Sequence, residues 1–139
     1  MDGMRTMTNF LDLPDVLVIQ AMTIRHIGGI HGITEQGFER LATALAAPQQ
    51  SMFGEDLYPD LAAKAAALFD ALVNGHCFSD GNKRTALLSM IEFLARNGLR
   101  FAAPDDDALY DWVLVAAART TTRQDQAAWI AGRCEALDV

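Results

Sequence analysis

From Leu13 onward, apolar residues recur every three or four positions, the period of a helix with one buried face. Pro14 suits a first helical turn, and Val16, Leu17, Ile19, Gln20, Ile24 and Ile27 follow an amphipathic track until Gly28-Gly29 stops it. Thr34 is placed to cap a second helix that carries Phe38, Leu41 and Leu45 and is closed by Pro48. Residues 48–58 read as a loop. A third helix opens near Pro59-Asp60 and carries Leu61, Ala65, Leu68, Phe69, Leu72 and Val73 to a stop at Asn74-Gly75. A fourth runs from about Gly81 or Asn82 to Arg96, with Ser79 or Asp80 as its cap. Its buried candidates are Ala86, Leu87, Met90, Ile91, Phe93 and Leu94. Leu99-Arg100-Phe101 can pair briefly as a strand. Pro104 and Asp105 open a fifth helix containing Leu109, Trp112, Val113 and Ala116. Thr122 with Asp125 three residues on resembles a capping box, ahead of a last helix holding Ala128, Trp129, Ile130 and Cys134. The pattern predicts an all-α fold, a compact bundle of about six helices with room for one short strand or flap. Residues 1–11 read as a mobile N-terminal tail and residues 12–139 as one helical domain.

Composition narrows the function. The 139 residues are 51% hydrophobic and 21% charged, which suits one globular domain and excludes disorder. Two cysteines, Cys77 and Cys134, make neither a disulfide framework nor a zinc motif, as expected in a reducing cytoplasm. No apolar run approaches the roughly 20 residues of a membrane span, and no signal peptide is apparent. Lys and Arg number 11 against 18 Asp and Glu, a net charge of −7. That field disfavours direct binding to nucleic acid or an anionic membrane. A phosphate-bearing ligand therefore needs a local cationic cluster.

One segment supplies it: His76-Cys77-Phe78-Ser79-Asp80-Gly81-Asn82-Lys83-Arg84, a loop running straight into a helix. A helix N-terminus offers unpaired N–H groups and partial positive charge to an anion. Gly81 permits close backbone approach, Asn82 can donate hydrogen bonds, and Lys83 and Arg84 add full charges. Asp80 is a hard oxygen ligand of the kind Mg²⁺ takes singly beside phosphates and water. His76 stands ahead of the anion site, where a general base would receive the proton of an incoming hydroxyl. The plainer alternative is a routine turn and a solvated helix start. His26 and His31 lack metal-ligand spacing, and Asp105-Asp106-Asp107 is explained by helix capping.

The motif resembles the signature of the Fic/Doc superfamily, in its Doc (death on curing) branch. The Fic pattern is His-Pro-Phe-x-Asp/Glu-Gly-Asn-Gly-Arg-x-x-Arg, and Doc proteins carry Lys at the second Gly, as Lys83 does here. The glycine-rich run Gly28-Gly29-Ile30-His31-Gly32-Ile33, the segments Tyr58-Pro59-Asp60-Leu61 and Lys64–Leu68, and the stretch from Asn82 to Gly98 extend the similarity over roughly residues 12–130. The resemblance implies a toxin of a toxin–antitoxin pair. Such a toxin passes the γ-phosphate of ATP, with Mg²⁺, to a threonine hydroxyl of translation elongation factor Tu and so arrests translation. By position, His76 would be the base, Asp80 the Mg²⁺ ligand, and Gly81, Asn82, Lys83 and Arg84 the phosphate-binding turn. Phe78 would lock the loop onto the core. Gly29, Ile30, His31 and Gly32 would form a flap that positions the target.

Three positions depart from the Fic pattern. Leu87 replaces the final Arg that clamps phosphates for AMP transfer, Lys83 replaces a glycine, and Cys77 replaces proline. The first two favour Doc-type phosphoryl transfer over the alternative of a Fic-type adenylyltransferase. A non-catalytic antitoxin-binding module is a third reading. The resemblance also implies a Phd-like antitoxin whose C-terminal segment folds onto the toxin. An acidic surface would suit a basic or amphipathic segment covering a groove near the flap.

Overall fold

The computed structural model describes residues 7–137. Six helices are present: α1 (Leu13–Ile27), α2 (Gly37–Ala46), α3 (Leu61–Asn74), α4 (Asn82–Arg96), α5 (Asp106–Ala117) and α6 (Arg123–Ala131). Two small antiparallel pairs accompany them. Strands β1 (Ser51–Met52) and β2 (Glu55–Asp56) make a hairpin between α2 and α3, in the stretch expected to be a loop. Strand β3 (Leu99–Phe101) pairs with β4 (Cys134–Ala136), joining Phe101 to Cys134 and Leu99 to Ala136. Among the described residues no helix is long and apolar enough to cross a membrane.

Helix α3 is the axis of the core. Ala65, Ala66, Ala67, Leu68, Phe69, Leu72 and Val73 are all buried, so this helix is apolar around most of its circumference. Its alanines let neighbours approach closely, and α4 and α6 make its largest contacts. Met90, Phe93 and Leu94 of α4 and Ile130 of α6 are buried against this axis. Each full burial of such a side chain stabilises the fold by about 1.5–3 kcal/mol. Phe69 stacks on Trp112 with centroids 4.5 Å apart, Trp112 on Trp129 at 4.1 Å, and Phe101 closes the column on Trp129 at 5.7 Å. The two tryptophans are core, as their helical spacing predicts.

Helix α1 is fastened across the far end of α4. Asp12 and Asp15 form a reciprocal capping box at its start. Asp15 also receives two N–H bonds from Arg96, at 2.9 and 3.1 Å, while Arg96 Nε donates to Glu92 at 2.8 Å. The guanidinium beside it holds the Asp15 carboxyl below its ordinary value.

Several local expectations are corrected. Residues 1–6 of the predicted tail lie outside the described residues. Asn9, however, exchanges hydrogen bonds with Asn97 and donates to the Arg96 carbonyl, Phe10 stacks on Phe93 at 6.0 Å, and Leu11 is buried. The anchored chain thus reaches back to Asn9. Thr34 is not the cap of α2; Gln36 occupies that position without a side-chain bond. Phe38 and Ile27 are exposed, because the faces of α2 and α1 that carry them meet no neighbour. Gly81, not Ser79 or Asp80, precedes α4 as its N-cap. Cys134 lies beyond α6, in β4, where the chain returns to pair with Phe101.

Candidate functional site

The loop between α3 and α4 contains the whole nine-residue motif apart from the first turn of α4. Its middle is sunk into the core: Cys77 and Phe78 are buried, whereas His76 and Ser79 face solvent. Burial in an apolar setting pushes the Cys77 thiol up, away from the reactive thiolate. The side-chain amide of Asn82 reaches back across one turn. Its Oδ1 accepts from Phe78 N at 3.0 Å and its Nδ2 donates to Phe78 O at 2.9 Å. This reciprocal pair closes the loop without using the backbone amides at the start of α4.

Those amides are what the loop presents. Gly81 adopts φ +78, a left-handed conformation that glycine enters without the steric penalty a Cβ carries. No side chain caps α4, and the first backbone bond at its start runs from Thr85 N to Gly81 O at 2.8 Å. The N–H groups of Asn82, Lys83 and Arg84 precede it, at the positive end of the helix dipole. Lys83 and Arg84 are exposed, and among the described residues neither makes an ion pair. The expected cluster of backbone donors and two free cations is therefore assembled at one helix start.

Segments distant in sequence hold the loop from outside. Ile33 and Phe78 form an antiparallel bridge, flanked by Thr34 N to Cys77 O at 3.1 Å and Ser79 N to Gly32 O at 3.1 Å. The glycine-rich segment between α1 and α2 is thus stitched to the motif at residues 32–34. At its other end Ile30 N donates to Asp80 Oδ2 at 2.7 Å. Gln20, buried in α1, donates from Nε2 to Asp80 O at 3.3 Å. Thr34 Oγ1 lies 3.2 Å from His76 O and 3.3 Å from Cys77 O, and Arg40 Nη1 reaches His76 O at 3.5 Å. Gly37 packs so tightly on the loop that a Cβ there would meet Cys77 O at 2.0 Å.

The sequence-expected residues are brought together: His76, Asp80, Gly81, Asn82, Lys83 and Arg84 line one loop and helix start, with Gly29, Ile30 and Gly32 beside them. His31 instead lines an open groove of about 520 Å³ along α1, with Val18, Ala21, Met22, Ile24 and Arg25. The groove near the flap is thus apolar with two basic groups, not acidic as the net charge suggests. Gln20, Thr34 and Arg40 were not singled out as site residues. For Gln20 a signal existed, since it is the polar member of an otherwise apolar track.

A metal fits this site only in one way. Among the described residues no group of three or more His, Cys, Asp or Glu converges. Asp80 Oδ1 has no hydrogen-bond partner there, while Oδ2 is held by Ile30. One half-exposed carboxylate beside a helix start with free amides suits Mg²⁺, which takes one or two carboxylates and completes its shell with other oxygens and water.

Residues 10–94 match the model of the Fic/DOC family. The chain is 39% identical over 127 residues to Toxin Doc of Mycolicibacterium smegmatis, covering 91% of this chain and 94% of that one. It is 33% identical over 92 residues to Protein kinase doc of Escherichia phage P1, covering 66% and 71% respectively.

Proposed function

The chain belongs to the Fic/DOC family, and on that premise we propose that it is a Doc-type toxin that transfers the γ-phosphate of ATP to a Ser or Thr hydroxyl of a target protein. The observation that carries this reading is the uncapped start of α4. Gly81 there is left-handed, and among the described residues one carboxylate oxygen of Asp80 has no partner and Lys83 and Arg84 make no ion pair, all within nine residues of His76. Phosphoryl transfer asks mainly for positioning and charge neutralisation, which this arrangement supplies.

In this mechanism the amides of residues 82–84 orient the phosphate chain and Lys83 and Arg84 offset its charge. Asp80 would hold Mg²⁺, which would neutralise charge on the phosphate oxygens. The imidazole of His76 makes no hydrogen bond to the described residues, so its free nitrogen can accept the proton of the target hydroxyl. As that oxygen bonds to the γ-phosphorus, the bond from the γ-phosphorus to the ADP oxygen breaks. Leu87 favours γ-phosphate over AMP transfer. It occupies the position of the second Fic arginine and is 91% buried, inside the core rather than over the phosphates.

Elongation factor Tu is the proposed target. A Phd-like antitoxin is the proposed partner, and the apolar groove along α1 favours an amphipathic segment over a simply basic one. ATP labelled at the α or the γ position, incubated with the protein and cell extract, tests the reaction. Transfer of γ label alone, lost in His76→Ala, is the expected result. Transfer of α label identifies AMP transfer instead, and transfer persisting in the variant removes His76 as the base. Mass mapping of the labelled residue identifies the target.

A further inference from the structure

The backbone at His76 is unusual. Its φ is +50, one of three positive values at non-glycine residues among those described. The left-handed region crowds the Cβ of an ordinary L residue against its own carbonyl. Histidine enters it more readily than most, but does not choose it unaided. The surroundings must therefore hold it there.

The His76 carbonyl shows what does so. Among the described residues no backbone N–H donates to it. Its two donors are side chains: the Thr34 hydroxyl at 3.2 Å, whose single proton is shared with the Cys77 carbonyl at 3.3 Å, and Arg40 Nη1 at 3.5 Å, the latter at the limit of a hydrogen bond. Arg40 is also committed elsewhere, donating from Nη2 to Gln36 at 2.8 Å. Thr34 is fixed independently by its own N–H on Cys77 O at 3.1 Å, so its hydroxyl is delivered to the loop by backbone pairing. That pairing belongs to the short ladder through Ile33 and Phe78, which ends at Thr34. Beyond it, toward His76, the side-chain hydroxyl takes over from the backbone.

We infer that Thr34 is a positioning residue, whose hydroxyl holds the His76 peptide in the left-handed conformation that aims the imidazole over the start of α4. The inference rests on His76 being the base of the proposed transfer. It assigns Thr34 no contact with nucleotide or target. Displacing a base by about 1 Å can lower a rate by ~10²-fold even when all reacting groups remain. The phosphate cradle is held by other bonds, those of Gln20, Ile30 and Asn82, so nucleotide affinity is independent of Thr34.

The test compares the intact protein with Thr34→Val, which keeps the shape and removes the hydroxyl, and Thr34→Ser, which keeps the hydroxyl. Three quantities are measured: the His76 Cα chemical shift, which reports its backbone angles; kcat and KM for ATP in the transfer assay; and the melting temperature. In Thr34→Val the His76 shift moves away from the left-handed range and kcat falls roughly ten- to a hundredfold. KM for ATP and the melting temperature stay near those of the parent, and Thr34→Ser restores both shift and kcat. An unmoved His76 shift in Thr34→Val overturns the inference, as does a loss confined to KM or melting temperature. If the parent protein transfers no phosphate, the proposed reaction fails, and the Cα shift alone still decides whether Thr34 sets the backbone.

Discussion

Helix α3 ends in a loop at each terminus, and the two are secured by different means. At its N-terminal end the hairpin of β1 and β2 is tied down by charge. Lys64, buried in α3, donates to Asp56 at 3.2 Å and to the Tyr58 carbonyl. Arg123 lies over the Tyr58 ring at 5.4 Å, bonds its hydroxyl and approaches Asp70 at 3.5 Å. At the C-terminal end the motif loop is secured mainly by neutral groups, the Asn82 amide, the Thr34 hydroxyl, the Gln20 amide and backbone pairing, with the Arg40 guanidinium 3.5 Å from His76 O and the Asp80 carboxylate accepting from Ile30 N–H. Both loops are held, yet the second leaves Lys83 and Arg84 without an ion pair among the described residues. Ion pairing near the hairpin occupies Lys64 and Arg123, whereas the ties at the motif leave Lys83, Arg84 and one oxygen of Asp80 without a partner among the described residues.

Four substitutions probe that contrast, beginning with the largest effect. Asp80→Asn keeps an acceptor for Ile30 N–H but removes the charge. Expression of this variant should no longer arrest growth, and transfer should fall by ~10²-fold or more, with the melting temperature close to the parent's. A retained rate would show that the free carboxylate oxygen is not used. Gly37→Ala attacks the neutral clasp itself, driving a methyl toward Cys77 O and Ile33. Urea unfolding should register a loss of about 3 kcal/mol, since this overpacking meets backbone that cannot swing aside. Lys64→Met attacks the charged tie. It should destabilise the protein by about 1–2 kcal/mol, through the lost ion pair and an unpaired Tyr58 carbonyl, while transfer is unaffected. A drop in transfer would mean that the two ends of α3 are not independent.

The smallest effect concerns Asp15 and Arg96, which join α1 to α4. Because Arg96 holds the Asp15 carboxyl below its ordinary value of 3.8, the pair's contribution is fully present above that pH. It disappears as pH falls through the lowered native value. The guanidinium is more than a third exposed, so the contribution is about 0.5–1 kcal/mol. Asp15→Asn should therefore cost about that much at neutral pH and nothing in strong acid. An equal penalty at both would place the effect in the capping box instead.

What sequence discloses here depends on how local the determinant is. Helices α3, α5 and α6 start where Asp60, Asp105 and Thr122 predict, because each cap bonds an amide three residues ahead. The make-up of the start of α4 is equally local: glycine, then polar and basic residues in one turn. Thr34 misleads for the opposite reason. Its hydroxyl has two competing uses, a helix amide nearby or a carbonyl 42 residues away, and only the folded chain selects the second. Phe38 and Ile27 keep the helical period but lack a neighbouring element to bury them, and periodicity cannot reveal that absence. Cys134 keeps the apolar spacing of α6, but Gly132 ends that helix. The strand beyond it exists because Phe101 and its neighbours offer an edge far back in the chain.

The burial of Cys77 has a further consequence. The thiol is next to His76 in sequence yet sealed from solvent, and it ionises less readily than an ordinary cysteine. An alkylating reagent can reach it only when the loop leaves its seat. Cys134, partly exposed in β4, supplies a second thiol that does not need that motion. The slower of two labelling rates thus becomes a clock for opening of the motif loop, built into the chain without any engineered probe. A nucleotide that seats on the start of α4 would slow that clock, turning ligand occupancy into a chemical rate that can be followed without catalysis.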